Sequence, residues 1–177
     1  MNITYTVRVS DRARALRISV EPGGAVVVVA PRFSNSSMIA RFVARFSHWI
    51  EKQVRVAKGR CVIRFTRSDI AMLKKRAREI AETRASHFAK LYGVTFQKIA
   101  IRAQKCRWGS CSHKGNLSFN YKIAALPAHL SDYIIVHELC HLIEPNHSKR
   151  FWRLVASAIP NHKDRRKELR NIFITFR

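Results

Sequence analysis

The sequence predicts a single α+β domain: alternating and β-branched runs crowd the N-terminus, helical apolar stripes follow, and a second pair of strands precedes a further set of helices. At 177 residues, with 47% hydrophobic side chains, the chain can bury a core without disulfide staples. Expected boundaries are N-terminal strands over 1–33, helices over 34–92 and a core carrying the chemistry over 93–177.

Strands at 5–9, 15–20 and 25–30 are separated by the turn signals Asp11-Arg12 and Pro22-Gly23-Gly24, which predicts a β-meander. After Pro31 the period becomes helical. Ser34 is the candidate cap of a helix whose stripe runs Ile39, Phe42, Val43, Phe46, Trp49, Ile50. A second helix, opening at Ser68 or Asp69, aligns Ile70, Leu73, Ala77, Ile80, Ala81, Ala85, Phe88 and Leu91 and stops at Gly93. Residues 94–103 and 117–123 read as a β-hairpin joined through Arg107-Trp108-Gly109-Ser110 and a turn at 113–116. Past Leu126-Pro127, a helix through Tyr133, Ile134, His137 and His141 must end before Pro145, which cannot continue it. Ser148 opens the next helix, with Phe151, Trp152, Leu154 and Val155, and a last surface-lying helix is expected over 161–176.

Charge is the extreme feature: 34 Lys and Arg against 11 Asp and Glu leave a formal +23. Such a field attracts polyanions, so nonspecific nucleic-acid affinity is one expectation, though no nucleic-acid motif accompanies it and the bland reading is a set of solvated helix faces. The N-terminal residues lack a leader pattern and no apolar run reaches membrane-spanning length, which predicts a cytoplasmic protein without membrane partners. Cys61, Cys106, Cys111 and Cys140 lack zinc-ribbon or redox spacing and read as buried small hydrophobes.

The informative string is His137-Glu138-Leu139-Cys140-His141 inside a predicted helix. Two histidines four apart share one helix face and can reach one ion, with Glu138 beside it. A zinc site needs a third protein ligand and, for catalysis, an open position for water. Glu144 lies roughly 10 Å along the axis from His137 and is disfavoured. His147 follows Pro145-Asn146, where the chain can fold back, and is the best choice; His162 and Glu168 are more distant, with Glu168 kept as the weaker alternative. The spacing also matches the metzincins, but Glu144 stands where they have glycine, and Met1, Met38 and Met72 all precede the motif, so no Met-turn can follow it.

Arg107-Trp108-Gly109-Ser110-Cys111, Asn116-Leu117-Ser118-Phe119-Asn120, the histidine string, and Asn146-His147-Ser148 with Phe151-Trp152 occur in that order. Together they resemble the YgjP-like metal-dependent hydrolases, relatives of the SprT and WLM zincins. The resemblance implies a zincin-like core, one zinc ion on His137, His141 and His147, and Glu138 as general base. It further suggests that the strand with Leu117 to Tyr121 borders the cleft and pairs with an extended peptide. Arg107, His113 and Tyr121 are candidate donors to transition-state charge.

Three functions compete: a metallopeptidase acting on peptide or protein substrates, a basic nucleic-acid-associated protein with structural zinc, and a hydrolase of a nonpeptide bond. Phe151 and Trp152 are expected to pack behind the metal helix, and Cys140 to point into the core.

Overall fold

The computed structural model describes residues 3–104 and 106–176; Met1 and Asn2, at the start of the stretch read for a leader, lie outside them. Chain contacts divide it into two compact units, Met1–Val62 with Asn171–Phe173, and Ile63–Arg170 with Ile174–Arg177.

The first unit holds β1 (Thr6–Val9), β2 (Arg17–Val20), β3 (Val26–Ala30), α1 (Ser36–Arg45) and α2 (Ser47–Lys58). The three strands fall where the sequence puts them, but they are not a meander. Their order is β1-β3-β2, with β1 parallel and β2 antiparallel to β3. Composition explains the swap: Val26, Val28 and Ala30 on β3 are buried, so β3 takes the centre, while every residue of β1 is exposed. Their partners are Ile39, Val43 and Ile50 from the two helices. The cap of α1 is Asn35, whose Oδ1 accepts from the Met38 N–H at 2.9 Å, in place of the expected Ser34. The expected single stripe is cut at Phe46 (φ −104°, ψ 14°), which leaves Phe46 and Trp49 exposed.

Strand β4 (Cys61–Phe65) pairs with β8 (Ile172–Phe176). Neither strand was foreseen: the expected last helix ends at Asn171, and its final residues join a strand more than a hundred residues away in sequence. Such a pairing leaves no local pattern to read.

In the second unit, α3 (Asp69–Tyr92) buries Leu73, Ala77, Ala81, Ala85 and Phe88 and ends at Gly93 in the left-handed conformation (φ 62°). The alanines bring it close against α4 (Ala128–Cys140) and the 3-10 turn before it (Tyr121–Ala125). Arg84 fastens the two helices through a bidentate pair with Asp132 at 2.6 and 2.7 Å. The sheet is β5 (Lys98–Arg102), β6 (Gly109–Cys111) and β7 (Asn116–Asn120) in the order β5-β7-β6. The hairpin is therefore β6 with β7; β5 runs parallel to β7, and the residues after Asn120 turn into the 3-10 segment instead of extending the strand. Helices α5 (Lys149–Ala158) and α6 (His162–Asn171) complete the unit. No helix among the described residues is long and apolar enough to cross a membrane.

Candidate metal centre

α4 is apolar on nearly every side, with Leu130, Ile134, Ile135, Val136, Leu139 and Cys140 buried, so it runs through the interior of its unit. A helix in that position can present polar groups only where something complementary waits. Within it, Ser131 donates to the Ile123 carbonyl at 2.9 Å, and burial pushes the Cys140 thiol up to about 11, consistent with a packing role.

His137 lies one turn before the helix end and His141 forms its C-cap, which places both imidazoles on one side. The chain leaves the helix, turns at Pro145-Asn146 and returns His147 to the same point. Ser148 then accepts from the Arg150 and Phe151 N–H groups, starting α5 at once. The three imidazoles offer donor atoms that all lie within 4.8 Å of one another. His137 Nε2 and His147 Nε2 are 3.0 Å apart, near the roughly 3.3 Å expected between two nitrogens on a tetrahedral zinc. His141 Nδ1 meets the Glu144 carbonyl at 3.2 Å; donating there turns the Nε2 lone pair toward the other two rings. Glu144 thus serves through its backbone, not as a ligand.

Phe151, fully buried, sits beneath all three imidazoles, its ring 4.9, 4.5 and 4.7 Å from those of His137, His141 and His147. Packing behind the helix was expected of it; contact with the whole triad was not. Trp152 stacks on His147 at 5.7 Å and on His162 at 5.5 Å. His162 is thereby a buried packing partner of that indole, and Glu168 is engaged by His129 Nε2 at 2.9 Å, so neither alternative ligand joins the triad.

The surroundings of His137 and His147 keep these two imidazoles unprotonated. Burial, then the neighbouring imidazoles and Arg166, push His137 down to about 3, and burial, His141 and Arg166 also lower His147. Both keep neutral rings with lone pairs to give. The donor set, the convergence and the neutral rings all fit a divalent cation of borderline softness.

Glu138 is 6% exposed, and burial pushes its carboxyl up to about 8 against the opposing charge of Arg107. Directly above it lies Gly109: a Cβ there would stand 2.7 Å from Glu138 Cγ and Oε1. Only glycine lets the strand approach so closely. Cys111, two residues on, faces the same way, its thiol raised by burial and then by Glu138. Asn120 fixes the approach. Its Nδ2 donates to the Gln104 and Arg107 carbonyls at 2.7 and 3.0 Å, and its N–H donates to the Trp108 carbonyl at 2.8 Å, so the loop leading into β6 hangs from one buried amide. Residue spacing gave no sign of that task.

These groups enclose a cleft of about 360 Å³ lined by Gly109, Cys111, His113, Glu138 and the triad. The strand that borders it is β6, not β7 as expected, because β7 is paired on both edges. Bonds from Asn120 N–H to Trp108 and from Ser112 N–H to Asn116 put the even-numbered residues of this stretch in the ladder with β7. The backbone groups of Gly109 and Cys111 therefore point out from the free edge. Of the candidate charge-stabilising donors, His113 lines the cleft, Arg107 acts on Glu138 through space, and Tyr121 is buried outside the lining.

A family model described as YgjP-like, metallopeptidase domain, matches residues 64–172. Among solved structures, the metallopeptidase zymogen of Pyrococcus abyssi abylysin aligns with a TM-score of 0.47 and 26% identity, over 50% of this chain and 90% of that one. No curated protein sequence matches the chain.

Proposed function

The chain belongs to the YgjP-like metallopeptidase family, and from that premise we propose that it is a zinc-dependent peptidase in which His137, His141 and His147 hold one ion and Glu138 is the general base. The observation that carries the reading is the convergence of three imidazole donors within 4.8 Å in the cleft that also holds the Glu138 carboxylate. Bound there, zinc would supply Lewis acidity toward a carbonyl, lower the pKa of water and favour the ionised form of Glu138.

The chain's own groups divide the remaining work. Glu138, pinned under Gly109, takes a proton from the attacking water and returns it to the leaving amine. The outward backbone groups of Gly109 and Cys111 pair with an extended peptide, aligning its scissile bond without selecting a side chain. His113, exposed and among the residues lining the cleft, would meet negative charge developing on the carbonyl oxygen. Cys140 is buried as expected of it, whereas Cys61 and Cys106 are exposed; four free cysteines suit a reducing compartment such as the cytoplasm.

Metal analysis combined with a peptide-library cleavage assay tests this reading. Glu138→Gln is expected to keep the fold and one zinc per chain and to lose hydrolysis by about a thousandfold; a variant that loses zinc instead would remove Glu138 from its role. The +23 charge supports a second reading, a nucleic-acid-associated protein with structural zinc. That reading requires affinity for DNA or RNA that falls steeply with salt, and no peptide cleavage to lose.

A further inference from the structure

The cleft has a one-sided electrostatic setting. Among its lining residues Glu138 is the sole carboxylate, and it is buried beneath β6. Helices α5 and α6, which carry Trp152 and Arg166, expose Lys149, Arg150, Arg153 and Arg166. Arg166 is held in a particular way. Its guanidinium lies 5.3 Å from the centre of the Trp152 ring, and Trp152 itself stacks with His147 and with His162. The cation therefore stands one aromatic ring away from a proposed zinc ligand, and its charge is felt at His137, His147 and Tyr133.

The two acids nearest in sequence do not neutralise it: Asp164 makes no ion pair with Arg166 among the described residues, and Glu168 is held by His129 and Arg165, at 2.9 and 3.5 Å. Among the described residues no carboxylate lies within ion-pair distance of Arg166, so its N–H donors are open to a carboxylate, which a guanidinium can bind bidentately.

We infer that Trp152 and Arg166 form a subsite for an acidic side chain of the substrate, which makes acidic peptide segments the preferred substrate class of this centre. The inference rests on the peptidase reading for its catalytic consequence, but its binding content stands separately. A nucleic acid would draw on the whole basic face; the Arg166 guanidinium instead stands over Trp152, which stacks with His147 of the triad, and one cation so placed suits selection of a single carboxylate.

The test uses short peptides that differ only in Glu, Gln or Lys at one scanned position. Cleavage is read with the zinc-loaded protein, and binding with its zinc-loaded Glu138→Gln variant by fluorescence anisotropy. At the best position Glu is favoured over Gln by about fivefold, the scale of one partly screened ion pair, and the ratio shrinks as salt is added. Arg166→Ala brings the ratio to about one, and Arg166→Glu turns the preference toward Lys; should the alanine variant lose zinc, Arg166→Gln takes its place.

Unchanged ratios in these variants overturn the subsite. So does an oligonucleotide of equal charge that binds more tightly than the acidic peptide and depends on Arg166. Failure of the two readings is distinguishable: absent cleavage with a Glu preference in binding rejects the peptidase and keeps the subsite, whereas cleavage without any Glu preference does the reverse.

Discussion

The sheets β1-β3-β2 and β5-β7-β6 share one arrangement, in which the last strand in sequence is central, parallel to the first and antiparallel to the second. They differ in what meets them. β3 meets Ile39, Val43 and Ile50, and the unit's cavity of about 510 Å³, lined by residues such as Ile3, Val26, Ile50 and Val54, holds no histidine or cysteine. β6 meets Glu138 on a buried helix, beside a smaller cleft of about 360 Å³ with three histidines. Neither strand order nor cavity volume marks the functional sheet. What marks it is the chemistry of the donors and the missing side chain at Gly109, which lets backbone and carboxylate touch.

Five substitutions test that contrast. His141→Ala removes one donor and the Nδ1 contact to Glu144, so zinc content should fall well below one per chain. Activity should fall with it by roughly a thousandfold or more, about 4 kcal/mol of transition-state stabilisation. Wild-type activity with the metal site emptied would break the contrast outright. Next come the two central strands: Phe119→Ala on β7 is expected to cost about 3–5 kcal/mol in denaturant unfolding and Val28→Ala on β3 about 2 kcal/mol, since both side chains are fully buried but differ in volume. Equal losses would mean that the sites relax differently from what their volumes require.

Gly109→Ala sharpens the comparison further. The added methyl must displace the Glu138 carboxylate, so kcat should drop by about a hundredfold while bound zinc is retained; an unaffected kcat would show that Glu138 tolerates displacement. Its counterpart in the other sheet is Gly23→Ala in the β2–β3 turn, where no atom lies within 4 Å of a new Cβ but φ is +93°. Strain there should cost about 1 kcal/mol of stability and leave kcat and zinc content unchanged.

The cluster of three histidines was legible because its parts lie close together along the chain. Four-residue spacing puts His137 and His141 on one face, Pro145 ends the helix, and Ser148 restarts it, so His147 has little room to go elsewhere. The same locality gave α3 its apolar face and its glycine stop. Illegible parts were those decided by partners distant in sequence: the pairing of β4 with β8, the parallel entries of β1 and β5, and the hold of Asn120 on the Gln104 and Arg107 carbonyls. The break at Phe46 was missed for another reason, since an apolar stripe continues in sequence whether or not the backbone does.

By itself, then, the sequence determined the helical periods, the caps and stops, and the set of nitrogen donors, because each depends on dihedral preferences and side-chain spacing within a few turns. Tertiary structure alone decided which strand edge faces the cleft, that Gly109 presses on Glu138, that Phe151 supports all three imidazoles and that Arg166 rests on Trp152. Those contacts arise from competition for burial and from long-range backbone pairing, which no local window of residues encodes.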